Sequence, residues 1–235
     1  MEGQLEARET ALIVVDYQND FCHEQGAIAE LGQSTRRARE ILPSIQELLS
    51  AARAADVPRI FVRVAHSPWT DTPEWVGRGA GGTIINVERR PIAREGTWGA
   101  DLYELVPQSD ELVLTKHRYS AFAYTPLALI LQAQRARTVT IAGVQTNVCV
   151  HATARDAVQK GFIPVVVEDC VAAGTDLEHQ VALEDIRTRV GRVVTLEDVR
   201  RSWGVARRPA ADSIESKIIG QGTSPRLRDD ANGRG

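Results

Sequence analysis

With 235 residues, 43% of them hydrophobic, the chain has enough apolar material for one globular domain with a substantial core. A formal net charge of -3 and a pI of about 6.0 argue against nucleic acid or an anionic membrane as partner, and no apolar run approaches the roughly 20 residues that span a bilayer. Three cysteines make no disulfide framework, and the polar, acid-bearing start from Met1 to Thr10 has no signal-peptide core, so a cytoplasmic setting is expected.

Residues 10–15 form a nearly continuous β-branched run ending at Asp16, the pattern of a strand buried on both faces of a parallel sheet. Ala38, Ile41, Leu42, Ile45, Leu48, Leu49 and Ala52 recur at steps of three and four, predicting a helix over about 35–56. Pro58 restarts the chain into a second strand at 59–64. From about 66 to 94, several Gly, Pro and Trp without a clean period predict a long excursion over the sheet. A third strand at 111–115 precedes a helix over about 126–134. A fourth at 138–142 leads through Gly143 to a helix over about 147–160. A fifth strand at 162–167, a helix near 177–189 and a short strand at 192–195 complete the series.

This alternation predicts a three-layer α/β/α fold with a mostly parallel sheet and helices on both faces. Residues 1–204 read as a single domain. The tail over 205–235, rich in Gly, Pro, Arg and Asp, is expected to be flexible or packed on a partner subunit, with Ile218-Ile219 as its marked apolar feature.

In an open parallel sheet, ligands bind beyond the carboxyl ends of the strands. Asp16 closes the first strand, Lys116 follows the third by one residue, and Cys149 lies in the first turn of the helix after the fourth. Adjacent strands would bring the three together. A thiol with a pKa of about 8.5 is mostly protonated at neutral pH, so a nucleophilic Cys149 needs help. A helix start offers partial positive charge and Lys116 a full one. Asp16 can accept the thiol proton and return it to a leaving amine. The backbone N–H groups of Gln145 and Cys149 are candidates for binding the tetrahedral oxyanion. Each residue also has a structural reading: the Asp as a turn or cap residue, the Lys as a surface charge, the Cys as a small inert hydrophobe. The last is the expectation for Cys22 and Cys170.

Asp16-Tyr17-Gln18-Asn19-Asp20-Phe21 resembles the opening motif of the isochorismatase-like cysteine hydrolase family. Lys116-His117-Arg118-Tyr119-Ser120-Ala121-Phe122 is similar to its lysine segment. Gly143-Val144-Gln145-Thr146-Asn147-Val148-Cys149-Val150, continuing to Thr153-Ala154-Arg155-Asp156-Ala157, is similar to its nucleophile segment. The similarity runs over about 10–203 in the order of the strands. It implies an Asp–Lys–Cys triad carried by Asp16, Lys116 and Cys149, and a non-proline cis peptide at Val144–Gln145 that turns the Gln145 N–H into the oxyanion site. The implied chemistry is thiolate attack on a carbonyl, loss of ammonia or an amine, and hydrolysis of the acyl-enzyme.

Two departures narrow this. Family members acting on nicotinamide resemble one another in a metal site built on Asp-x-His. Here Arg63-Val64-Ala65-His66-Ser67-Pro68 lacks the Asp two before the His, so no catalytic metal or other cofactor is expected and His66 reads as a loop residue. Members that cleave the vinyl ether of isochorismate lack the nucleophile, and Cys149 argues against that reaction. Arg94-Glu95-Gly96-Thr97-Trp98-Gly99-Ala100-Asp101 and the Lys-x-Arg-Tyr-Ser form at Lys116 look most like the branch acting on ureidoacrylate, biuret and other N-carbamoyl compounds. The alternatives are an isochorismatase-type or nicotinamidase-type hydrolase and a non-catalytic metabolite-binding homologue.

Asn19, Phe21, Trp98 and Tyr119 are the candidate substrate-binding residues, each with bracing or core packing as the competing role; Trp69 and Trp75 are further aromatic candidates. The run Gly77, Gly79, Gly81, Gly82 lacks the Gly-Lys-Ser/Thr ending of a phosphate loop and reads as a flexible active-site loop. Arg155 and Asp156 read as a structural ion pair. Apolar patches and the aromatic excursion suggest a homo-oligomer, a dimer or tetramer.

Overall fold

The computed structural model describes residues 5–77 and 92–206. Six strands, β1 (Thr10–Val15), β2 (Arg59–Val64), β3 (Leu112–Lys116), β4 (Thr138–Val144), β5 (Ile163–Ala172) and β6 (Arg192–Val194), pair in the order β3-β2-β1-β4-β5-β6. Every pairing is parallel. The chain winds outward from β1 through β2 to β3, then returns to β1's other side for β4. β1 and β4 therefore flank the switch point where a doubly wound sheet opens a crevice.

All six residues of β1 and all seven of β4 are buried. Alternation along the strands divides the core in two. Leu12 and Val14 face one layer with Ile45, Leu48, Phe61, Val165 and Val199. Ala11, Ile13 and Val15 face the other with Leu127, Leu131, Ile141, Ala154 and Ile186. A sheet covered on both faces is what continuous β-branched runs require, and it makes the α/β architecture three-layered.

The helices are α1 (Asn19–Cys22), α2 (Ala27–Glu30), α3 (Arg36–Glu40), α4 (Leu42–Ala54), α5 (Pro73–Val76), α6 (Leu127–Ala133), α7 (His151–Gln159), α8 (Asp176–Asp185) and α9 (Leu196–Ser202). Three expectations shift. The helix foreseen over 35–56 is two, broken at Ile41, the residue that ends α3 and caps α4, with Pro43 in the first turn of α4; that turn's unpaired N–H positions accept Pro without loss. β5 continues five residues past its expected end. The short α9 follows β6, started by a reciprocal cap in which Thr195 accepts from Asp198 N–H and Asp198 accepts from Thr195. Among the described residues, no helix is long and apolar enough to cross a membrane.

An ionic knot fastens the sheet edge opposite the site. Glu111, just before β3, accepts from Arg53 at 2.8 and 2.9 Å, from Arg59 at 3.0 Å and from the Gln108 N–H at 2.7 Å. Burial pushes its carboxyl upward, but these four donors override it and hold the pKa at about 2. Gly79, Gly81, Gly82 and most of the tail, including Ile218-Ile219, lie outside the described residues.

Candidate active site

β1 is followed directly by Asp16, whose backbone takes a left-handed φ of 51° that Asp tolerates better than most residues. Its N–H bonds Val62 O at 2.8 Å and its carbonyl accepts from Gln18 N–H at 2.8 Å, so the turn projects the carboxylate beyond the sheet rim. Gln18, fully buried, holds this turn in place. Its Oε1 accepts from Val64 N–H at 2.8 Å, and its Nε2 donates to Val64 O at 2.9 Å and Ala100 O at 2.8 Å. Asp20 adds a second tie, accepting from the N–H groups of Ala27 at 2.9 Å and Ala93 at 2.6 Å. Neither role was anticipated from the sequence; a polar pair buried just after a strand end was the available signal.

Lys116 is the last residue of β3, one position earlier in its element than expected. Its strand is not adjacent to β1: β2 lies between, with Val64 paired to Lys116. Two strand spacings amount to about 10 Å, and the four-carbon stem of the lysine covers most of that gap. Its Nζ lies 2.7 Å from Asp16 Oδ2 and 3.5 Å from Cys149 Sγ, and donates to Arg118 O at 2.9 Å. Lys116 and Asp16 are both fully or almost fully buried. Three side chains from β1, β3 and the segment after β4 thus meet at one rim of the sheet.

The nucleophile segment starts with Gly143, at a φ of 114°. A Cβ there would stand 2.0 Å from Val15 O, so only glycine lets β4 run this close to β1. The Val144–Gln145 peptide bond is cis. A wide turn, Thr146–Val150, replaces the regular first helical turn before α7. Gln145 O accepts from Val148 N–H at 3.1 Å and Val150 N–H at 3.2 Å, passing over the Cys149 N–H between them. Thr146 Oγ1, bonded to His179 Nδ1 at 3.0 Å, anchors the turn to α8.

The protonation state departs from the sequence expectation. Burial pushes the Cys149 thiol well above its ordinary value, the Asp16 charge pushes the same way, and Lys116 only partly opposes them. Burial likewise raises the Asp16 carboxyl beyond what Lys116 counters. Burial alone would lower the Lys116 ammonium, but Asp16 and Cys149 outweigh it and hold the charge on. The direction of the Cys149 shift favours the thiol over the thiolate, because burial and the neighbouring Asp16 cost a thiolate more than a helix start and Lys116 return. Burial also raises Cys22 and Cys170, which lie in the core.

The three groups open onto a cavity of about 220 Å³ walled by Phe21, Ile28, Val64, Trp75, Ile92 and Tyr119, with Gln145, Val148 and Arg118 beside them. Phe21 and Tyr119 are thus part of the cavity's lining. Asn19 and Trp98 are not among the cavity's lining: Asn19 donates to Trp98 O at 2.8 Å and braces that segment, while the Trp98 ring packs edge-on against His23 with centroids 5.0 Å apart. Trp75 takes the wall position, its ring 4.8 Å from that of Tyr119; Trp69 is exposed. His66 lies in the loop between β2 and α5. It is buried, lines the cavity, and its Nδ1 is 2.8 Å from Asp71 Oδ1, with Arg94 on the same carboxylate at 2.8 Å. Among the described residues, no three His, Cys, Asp or Glu side chains are grouped to hold a metal ion. Arg155 pairs with Asp185, not with Asp156, because the i+1 neighbour points to another side of the helix.

Three comparisons bear on this site. The isochorismatase domain model matches residues 10–198. Ureidoacrylate amidohydrolase RutB of Stutzerimonas stutzeri is 31% identical over 215 residues, spanning 86% of this chain and 86% of that protein. Among solved structures, a cysteine hydrolase from Pseudomonas syringae pv. phaseolicola superposes with a TM-score of 0.74 at 30% identity, covering 86% of this chain and 95% of its own. N-carbamoylsarcosine amidase from Thermoplasma acidophilum gives 0.65 at 29% identity, covering 80% and 97%.

Proposed function

The chain belongs to the isochorismatase domain family of hydrolases, and from that premise we propose that it is a cysteine-dependent amidohydrolase cleaving a C–N bond in a small amide or ureido (N-carbamoyl) compound. The observation that carries this reading is the approach of Lys116 Nζ to both Asp16 Oδ2, at 2.7 Å, and Cys149 Sγ, at 3.5 Å, on the wall of a cavity sized for a small metabolite. The similarity to proteins named for ureidoacrylate and N-carbamoylsarcosine supports the ureido class.

The electrostatics suit a thiol that ionises only as it attacks. Sγ bonds to the carbonyl carbon while its proton passes to Asp16, whose raised pKa brings it closer to a base that works near neutrality. Lys116 stays cationic and offsets the charge on sulfur. The carbonyl oxygen, now an oxyanion, takes the N–H groups of Gln145 and Cys149, a donor pair of the kind whose single loss costs about 3–4 kcal/mol of barrier. Asp16 then returns its proton to the departing nitrogen, ammonia leaves, and a thioester-type acyl-enzyme remains. A water deprotonated by Asp16 cleaves the thioester and restores the thiol.

The test is a panel of small amides and ureido acids assayed for ammonia, with wild type and Cys149→Ala. Turnover of at least one compound, abolished in the folded variant, is expected; turnover retained without the sulfur refutes the reading.

A further inference from the structure

We propose that Arg118 forms a carboxylate-binding subsite of the cavity, so that the compound hydrolysed is an anionic ureido or amide acid and not a neutral amide. This rests on the function proposed above and narrows its substrate class.

The argument begins with the charges around the cavity. Asp16 is paired with Lys116. Asp71, behind His66, is shared by His66 and Arg94. Glu178, exposed at the rim, turns Oε2 back to the Thr175 N–H at 3.0 Å and its hydroxyl at 2.8 Å. Arg118 lines the same wall, and among the described residues it has no acid within ion-pair distance. Its partners are two carbonyls and two rings. Nη1 donates to Thr70 O at 3.1 Å and His117 O at 2.7 Å, and the guanidinium carbon lies 4.8 Å from the Trp75 ring centre and 5.8 Å from that of Tyr124.

This arrangement fixes the plane of the guanidinium without neutralising it. The carbonyls hold one nitrogen, the Trp75 face holds the plane, and among the described residues none accepts from the edge formed by Nε and Nη2, whose N–H donors are left for a further partner. Two parallel N–H donors on one edge match the two oxygens of a carboxylate, which a point charge does not do. Among the described residues Arg118 has no ion-pair partner, and it sits beside the apolar side chains of Phe21, Ile28, Val64, Ile92 and Trp75, a setting that favours an anionic ligand. Arg118 is also tied to the reacting groups, because its carbonyl accepts from Lys116 Nζ. In a cavity of about 220 Å³, a carboxylate on Arg118 and a carbonyl at Cys149 belong to one short molecule.

The experiment compares ureidoacrylate with its methyl ester, a pair differing in charge at one end, by ammonia release from wild type, Arg118→Gln and Arg118→Lys. Wild type is expected to prefer the acid. Arg118→Gln should raise KM for the acid by about 10- to 100-fold, the loss of a charge-assisted contact, and alter KM for the ester by less than about threefold. Arg118→Lys keeps the charge without the fork and should fall between. Equal effects on acid and ester, or a wild-type preference for the ester, would overturn the subsite. A second readout needs no chemistry: ureidoacrylate binding to Cys149→Ala by calorimetry. Weaker binding once Arg118→Gln is added, at an unchanged melting temperature, supports the inference; equal binding, or none by either form, overturns it. Failure of the underlying function looks different: ammonia release by Cys149→Ala, or none by wild type from any amide, whatever residue 118 is.

Discussion

Replacing Asp16 with Asn is expected to make Cys149 more reactive and the enzyme inactive. The substitution keeps the shape of a fully buried side chain and removes the negative charge that, after burial, contributes most to keeping the thiol protonated. Lys116 then has no carboxylate beside it and stands 3.5 Å from the sulfur. At that separation and an effective dielectric of about 20, a unit positive charge favours a thiolate by about 5 kcal/mol. Sulfur thus replaces Asp16 as the counter-ion of the ammonium, and the fraction of thiolate at a given pH rises by up to about 5,000-fold. Turnover moves the opposite way, since no group remains to take the proton or hand it to the leaving nitrogen; a general acid–base typically contributes about 100- to 10,000-fold. The assay is site-resolved iodoacetamide alkylation at pH 7.5, read by mass spectrometry, beside ammonia release. Cys22 and Cys170, both buried, serve as unreactive references. Alkylation of Cys149 no faster in Asp16→Asn than in wild type would refute the claim that Asp16 keeps the proton on sulfur.

Lys116→Met should be destabilised by about 3–5 kcal/mol in urea denaturation, because it leaves a buried carboxylate without its ion pair, and adding Asp16→Asn should recover part of that loss. At Glu111 the carboxyl is held at about 2 when folded, against an ordinary value of 4.5. A depressed carboxylate stabilises above its unfolded pKa and loses that contribution as pH falls through the folded one. Wild type should therefore shed up to about 3 kcal/mol between pH 4.5 and about 2, while Glu111→Gln, already weaker at pH 7, should show a flatter profile over that window. Gly143→Ala sets a methyl group against Val15 O at 2.0 Å with the backbone in the left-handed region, so a loss exceeding about 4 kcal/mol, or no soluble protein, is expected from expression and thermal melts.

The strands were readable because they are buried on both faces, which leaves runs such as Leu12-Ile13-Val14-Val15 with no polar interruption. Boundaries were less readable where polar residues serve tertiary partners. β5 carries on through Glu168 and Asp169, and Asp169 accepts from Leu196 N–H at 2.6 Å, a contact between segments 27 residues apart. α1 and α2, four residues each, are too short for a period to register. α9 did leave a signal, Thr195 followed three residues later by Asp198, but its cap was overshadowed by the strand before it.

The sequence by itself determined which residue types stand at the carboxyl ends of β1, β3 and β4, because strand runs and the segments that follow them are local patterns. Tertiary structure alone decided three things. Strand order put β2 between Asp16 and Lys116, so the ion pair depends on the reach of one lysine. Packing chose Trp75 over Trp98 for the cavity wall and turned Asn19 into a brace. Burial reversed the expected ionisation of Cys149, since the cost of removing a charge from water is set by every atom that surrounds it and by no neighbour in sequence.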